Sequence, residues 1–108
     1  MSYQKLVRDN IPNIIKSKGE SPITRILSDK EYKVELEKKL LEECNEVINS
    51  SGSDRLEELA DLLEVMMALG KIQENTLDDI INASNQKREK RGAFDKKIFL
   101  EGIQNDSN

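Results

Sequence analysis

The chain has 108 residues and a net charge of −4, with 36% hydrophobic and 35% charged residues. Its length predicts a single domain spanning residues 1–108. The chain contains no His, which excludes a catalytic triad, a Cys–His pair and a His metal site built from this chain alone. One Cys excludes an internal disulfide, and the acidic balance argues against stable nucleic-acid binding.

No apolar run approaches the roughly 20 residues of a membrane span, and no signal-peptide core is visible. We therefore expect a protein of the reducing cytoplasm without a membrane partner. The chemistry available to the chain is that of carboxylates, Lys, Arg and hydroxyls. If the protein is an enzyme, a metal ion held by Asp and Glu is the first expectation.

Cap residues and apolar periodicity predict four helices. Ser28 and Glu31 have the spacing of a capping box at the start of the second helix. Ser53 and Thr76 are the expected N-caps of the third and fourth helices, and Gly92 ends the fourth. The predicted ranges are about residues 11–18, 29–49, 54–74 and 77–91.

Two short stretches, from Ile23 to Leu27 and from Lys97 to Leu100, are apolar, partly β-branched and bounded by turn residues. They favour a small two-stranded β ribbon, which would be stable only if it packed on the helices. The expected fold is therefore all-α, a bundle of about four helices to which this ribbon could be added.

The third helix carries an apolar arc wider than a surface helix requires, which predicts that its neighbours or a second chain bury it. Two acids interrupt this arc. Glu58 projects between Val65 and Leu69, and Asp61 projects at the edge of the arc. Burying a lone carboxylate costs several kcal/mol, so we expect a cationic partner for these two acids.

The second helix places Glu43 at the edge of its apolar stripe, with Glu46 three residues later and Glu42 further out. Two antiparallel helices could then present four carboxylate groups to one spot. Oxygen ligands in this number suit Mg²⁺ or Mn²⁺. On the fourth helix, the inner side turns basic in the last turns, at Lys87 and Arg91.

Three motifs in order resemble those of one enzyme superfamily over most of the chain. The acidic pattern Glu42-Glu43-x-x-Glu46 followed by Glu58-x-x-Asp61 resembles the EExxE…ExxD signature of the MazG-like, all-α nucleoside triphosphate pyrophosphohydrolases. The other two resemble motifs of a small, stand-alone branch that is similar to phosphoribosyl-ATP pyrophosphohydrolases. They are Lys5-Leu6-Val7-Arg8-Asp9 with Ile11-Pro12, and Lys87-x-x-x-Arg91-Gly92-x-Phe94.

The resemblance implies Mg²⁺-dependent hydrolysis of the α–β phosphoanhydride of a nucleoside triphosphate, with release of a nucleoside monophosphate and pyrophosphate. Mn²⁺ is a possible substitute. The implied metal ligands are Glu43, Glu46, Glu58 and Asp61. Glu42 is the accessory acid expected to hold or activate the attacking water. Because a divalent metal can activate water, such chemistry needs no His.

The resemblance also implies phosphate contacts from Lys87 and Arg91 and, from the N-terminal segment, from Lys5 and Arg8. It further implies a homodimer or homotetramer. Simpler explanations exist for these residues. The acids of the second helix could form a solvated face, and the basic residues could favour a helix C-terminus. Arg8 could form a local ion pair with Asp9.

Three functions stay open at this point. The leading one is the removal of noncanonical or surplus nucleotides, a house-cleaning activity. The second is the same chemistry on a dedicated metabolite such as phosphoribosyl-ATP. The third is a catalytically silent helical dimer that acts as an interaction module.

Overall fold

A computed structural model describes residues 4–105, and the regular secondary structure of this range is entirely helical. The helices are α1 (Ile11–Ser17), α2 (Asp29–Ile48), α3 (Gly52–Ile72) and α4 (Leu77–Arg91). The predicted all-α class and the four predicted helices are confirmed.

The start of α2 contains the predicted capping box. The Ser28 hydroxyl accepts the backbone N–H of Glu31 at 3.2 Å, and the Glu31 carboxylate accepts the backbone N–H of Ser28 at 3.2 Å. Two guanidinium nitrogens of Arg25 also donate to this carboxylate, at 3.0 and 3.4 Å. The Arg25 bonds, followed by the Ser28 bonds, lower the pKa of Glu31 to about 2 from 4.5. The stabilisation from ionised Glu31 is therefore present above about pH 4.5 and is lost as the pH falls towards 2.

We expect Ser28→Ala to lower the free energy of unfolding by about 1 kcal/mol, because alanine cannot accept the N–H of Glu31. The matched control is Ser51→Ala, since Ser51 is the N-cap of α3 but its side chain makes no capping hydrogen bond. Urea denaturation should shift the midpoint of the first variant and leave that of the second near wild type. Equal shifts would contradict the role of the Ser28 hydroxyl.

The helix α3 begins two residues earlier than predicted, and its N-cap is Ser51 instead of Ser53. Gly52 takes a φ of 58°, a left-handed conformation that glycine adopts readily, and this turns the chain into the helix after a short connection. Arg55 fixes this start, because its Nε donates to the carbonyl oxygen of Ser50 at 2.8 Å.

The helices α2 and α3 form a helical hairpin. Residues 49–51 connect them, and so short a connection makes them antiparallel neighbours that pack on each other. Among the described residues, the buried hydrophobic side chains are Leu36 of α2 and Val65 of α3. Part of the apolar arc of α3 is accessible to solvent, with Leu56 70% and Leu59 46% exposed. The packing of α2 on α3 thus leaves part of this arc uncovered.

The β ribbon was a wrong prediction. Neither the stretch from Ile23 to Leu27 nor that from Lys97 to Leu100 forms a strand in the structure. Lys97 takes a φ of 58°, which lies outside the β region. Ile23 and Phe99 are almost fully exposed, so these side chains lack the packing surface that a two-stranded ribbon requires.

The chain divides into two compact units, one up to Leu77 and one from Asp78 onwards. The first unit contains α1, α2 and α3, and the second contains all but the first residue of α4. A single domain over the whole chain stays a prediction. None of the helices in residues 4–105 combines the length and the apolarity needed to cross a membrane.

Candidate metal centre

Three carboxylates meet where α2 and α3 face each other. Glu43 lies on α2, and Glu58 and Asp61 lie one turn apart on α3. One oxygen of each carboxylate lies within 4.8 Å of the other two, and all three residues are partly buried. The predicted pair at i and i+3 on the third helix thus meets an acid of the antiparallel second helix. We call Glu43, Glu58 and Asp61 the acidic triad.

The acidic triad lines an open depression of about 450 Å³ in the first unit. Three other residues that the sequence predicts for the site, Glu42, Glu46 and Lys5, line the same depression. Glu46, expected as a fourth metal ligand, is exposed and lies outside the group of oxygens that converge within 4.8 Å. The structure therefore brings together three of the four predicted ligands and puts the fourth at the rim.

The negative charges in the depression repel one another. Burial raises the pKa of Glu43, and the charge of Asp61 raises it further while Lys39 opposes the increase. Burial likewise raises the pKa of Glu58, with additional contributions from the charges of Glu46 and Asp61. Both shifts disfavour the charged forms of Glu43 and Glu58, and a cation bound among the carboxylates would favour those charged forms.

Arg8 reaches the acidic triad from the N-terminal segment. Its Nη2 lies 2.6 Å from Oδ1 of Asp61, across 53 positions of sequence. Both side chains stay about half exposed, at 58% and 45%. The sequence left open an ion pair between Arg8 and Asp9. In the structure, Arg8 instead pairs with Asp61, a predicted metal ligand.

Lys39 is a residue of the depression that the sequence analysis missed. Its side chain is 25% exposed, and its Nζ lies 3.3 Å from Oε2 of Glu42. Lys39 precedes Glu43 by four residues on α2, so helical spacing could have placed it beside the acids. Asn45 also lines the depression, and no sequence signal pointed to it.

The predicted phosphate ligands Lys87 and Arg91 belong to the second unit. They are exposed in the last turns of α4, which ends at Arg91 as predicted. Gly92 follows with a φ of 81°, the left-handed conformation typical of a glycine after a helix. The phosphate contacts of Lys87 and Arg91 stay predictions.

The donor chemistry of the acidic triad fits a hard divalent cation. Carboxylate oxygens are the protein ligands that Mg²⁺ and Mn²⁺ prefer, and Mg²⁺ usually keeps several waters in addition to a few carboxylates. Partial burial leaves one side of the triad open to the depression, where water or a ligand can complete the coordination.

No family model and no solved structure matches the chain. A 43-residue part of the chain is 49% identical to an uncharacterized protein of Mycolicibacterium smegmatis. The match covers 40% of this chain and 44% of that protein. The chain thus spans less than half the length of this curated relative, whose name states no function.

Proposed function

We propose that the chain is a divalent-metal-dependent nucleotide pyrophosphohydrolase. It would cleave the α–β phosphoanhydride of nucleoside triphosphates, chiefly noncanonical or surplus ones, to a nucleoside monophosphate and pyrophosphate. The convergence of Glu43, Glu58 and Asp61 carries this proposal. These are three of the four metal ligands that the resemblance to the MazG-like enzymes implies.

The residues of the depression have distinct proposed roles. The acidic triad holds Mg²⁺ or Mn²⁺, with Glu46 available at the rim. The bound ion would neutralise phosphate charge and lower the pKa of the attacking water. Glu42 is the group proposed to orient that water. Lys5 lines the depression, where its ammonium group can donate to a phosphate oxygen.

The size and polarity of the depression suit a nucleotide. A volume of about 450 Å³ lies within the range of small-molecule sites, roughly 300–1,000 Å³. Acids for a metal and the cationic Lys5 and Lys39 line the same space. A triphosphate needs both, because its transfer chemistry depends on positioning and on neutralising charge.

We also propose that the protein is a homodimer or homotetramer and that it works in the cytoplasm. The exposed apolar arc of α3, with Leu56, Leu59 and Leu63, supports the oligomer. Monomeric proteins rarely expose large contiguous apolar patches. A reducing compartment suits the one free thiol, that of Cys44.

The test of this function is pyrophosphate release from a panel of canonical and modified nucleoside triphosphates, with Mg²⁺ and with EDTA. Phosphoribosyl-ATP belongs in the panel. Preferred turnover of phosphoribosyl-ATP would favour an enzyme dedicated to that metabolite. A folded protein that releases no pyrophosphate from any of these compounds would contradict the proposal and favour the silent helical dimer.

Mg²⁺ is expected to raise the melting temperature of the wild type, because it relieves the repulsion within the acidic triad. Glu58→Gln should melt higher than wild type in EDTA at neutral pH and should lose most of the Mg²⁺ effect. The raised pKa of Glu58 means that its charged form opposes folding, so the gain from Gln fades as the pH falls through this raised pKa and is gone below about 4.5. Thermal melts across this pH range measure both effects. A wild type whose melting temperature does not change on addition of Mg²⁺ would contradict the metal centre.

A further inference from the structure

The ion pair between Arg8 and Asp61 involves a carboxylate of the acidic triad. The guanidinium nitrogen lies 2.6 Å from Oδ1 of Asp61, while oxygens of Asp61, Glu43 and Glu58 converge within 4.8 Å. A cation bound by all three acids would therefore compete with Arg8 for the charge of Asp61. Repulsion between the two positive groups would add to that competition.

We propose that Arg8 is an internal counter-ion that sets the metal affinity of the acidic triad. Its guanidinium holds Asp61 while no cation is bound, and it must give up or share that carboxylate when a divalent cation binds. This inference rests on the proposed function, since it requires the triad to bind a metal. It makes Arg8 a positioning residue that lowers the affinity, not a ligand.

Local contacts fix the backbone at Arg8. The exchange of Asp61 between Arg8 and a metal ion therefore involves movement of the Arg8 side chain. The carbonyl oxygen of Arg8 accepts the backbone N–H of Ile11 at 3.1 Å, at the start of α1. Leu6, two residues earlier, is partly buried. The ion pair itself is well exposed on both sides, and exposed ion pairs are weak enough to exchange readily.

The other cations of the depression are placed differently. The ammonium group of Lys39 is paired with Glu42, which lies outside the acidic triad. Lys5 lines the depression. Within residues 4–105, Arg8 is the cationic residue that forms an ion pair with a triad carboxylate.

The test is Mn²⁺ binding to the full chain, measured by electron paramagnetic resonance without nucleotide. We expect Arg8→Gln to bind Mn²⁺ about three- to tenfold more tightly than wild type, because a competing charge is gone. Arg8→Lys keeps the charge and should stay near wild type. The matched control is Arg25→Gln, which removes the same charge from a pair with Glu31, about 18 Å along α2 from Glu43. The Mn²⁺ affinity of Arg25→Gln should equal that of the wild type.

Two results with these variants would overturn the inference about Arg8. Equal or weaker Mn²⁺ binding in Arg8→Gln would show that Arg8 does not compete. If Arg25→Gln also bound Mn²⁺ more tightly than wild type, and by the same factor, the effect would come from the net charge of the protein and not from the position of Arg8. Glu58→Gln separates the two proposals. If the wild type binds Mn²⁺ and Glu58→Gln does not, the metal centre stands whatever Arg8 does. If the wild type binds no Mn²⁺, both proposals fail.

Discussion

Glu58→Gln is expected to lower metal-dependent pyrophosphate release by roughly two to three orders of magnitude. The amide keeps the size of the carboxylate but removes one of the three negative charges that converge within 4.8 Å. Less charge at the site weakens metal binding and leaves more of the phosphate charge unneutralised in the transition state. The helix should stay intact, because Gln forms helices about as well as Glu.

The matched control for this variant is Glu64→Gln on the same helix. Glu64 is exposed and does not line the depression, so the turnover of Glu64→Gln should equal that of the wild type. Asp61→Asn should lose activity as Glu58→Gln does. Circular dichroism confirms that each variant is folded. Full activity in both triad variants would show that the catalytic site lies elsewhere.

If the protein is the proposed oligomer, the double substitution of Leu59→Lys with Leu63→Lys is expected to convert it to a monomer of about 12.3 kDa. The two side chains, 46% and 41% exposed, lie one turn apart on the apolar arc of α3. A lysine there would bring an unpaired charge into the interface between copies. Since Leu36 and Val65 are the buried hydrophobic residues of the described chain, a separated copy should also melt at a much lower temperature.

The control for the arc variant is Ile23→Lys with Ile26→Lys. These side chains are 101% and 96% exposed and lie in the segment before α2, outside the arc of α3. Light scattering after size-exclusion chromatography should give the wild-type mass for this control. A wild type that is monomeric at high concentration, or an arc variant that keeps the oligomer mass, would contradict the proposed interface.

The sequence predicted the helices because their signals are local. The spacing of Ser28 and Glu31 is enough to place the start of α2, and Gly92 is enough to end α4. The start of α3 could not be fixed in the same way. Ser51 and Ser53 are both good N-cap residues, and the left-handed turn at Gly52 decides between them.

The candidate site was predictable only in part, because its contacts span different distances along the chain. The i, i+3 spacing places Glu58 and Asp61 on one side of a helix, and a short connection brings Glu43 opposite them. The pair between Arg8 and Asp61 spans 53 positions, and no periodic pattern encodes such a contact. It depends on how the N-terminal segment folds back onto α3.

The most direct test of the central claim is the identity of the products. A nucleoside triphosphate that the panel shows to be turned over is incubated with the wild type and Mg²⁺ and followed by phosphorus NMR. We predict equal amounts of nucleoside monophosphate and pyrophosphate, no orthophosphate, and no reaction when EDTA replaces Mg²⁺. Nucleoside diphosphate with orthophosphate, or a reaction that EDTA leaves unchanged, would contradict a metal-dependent pyrophosphohydrolase.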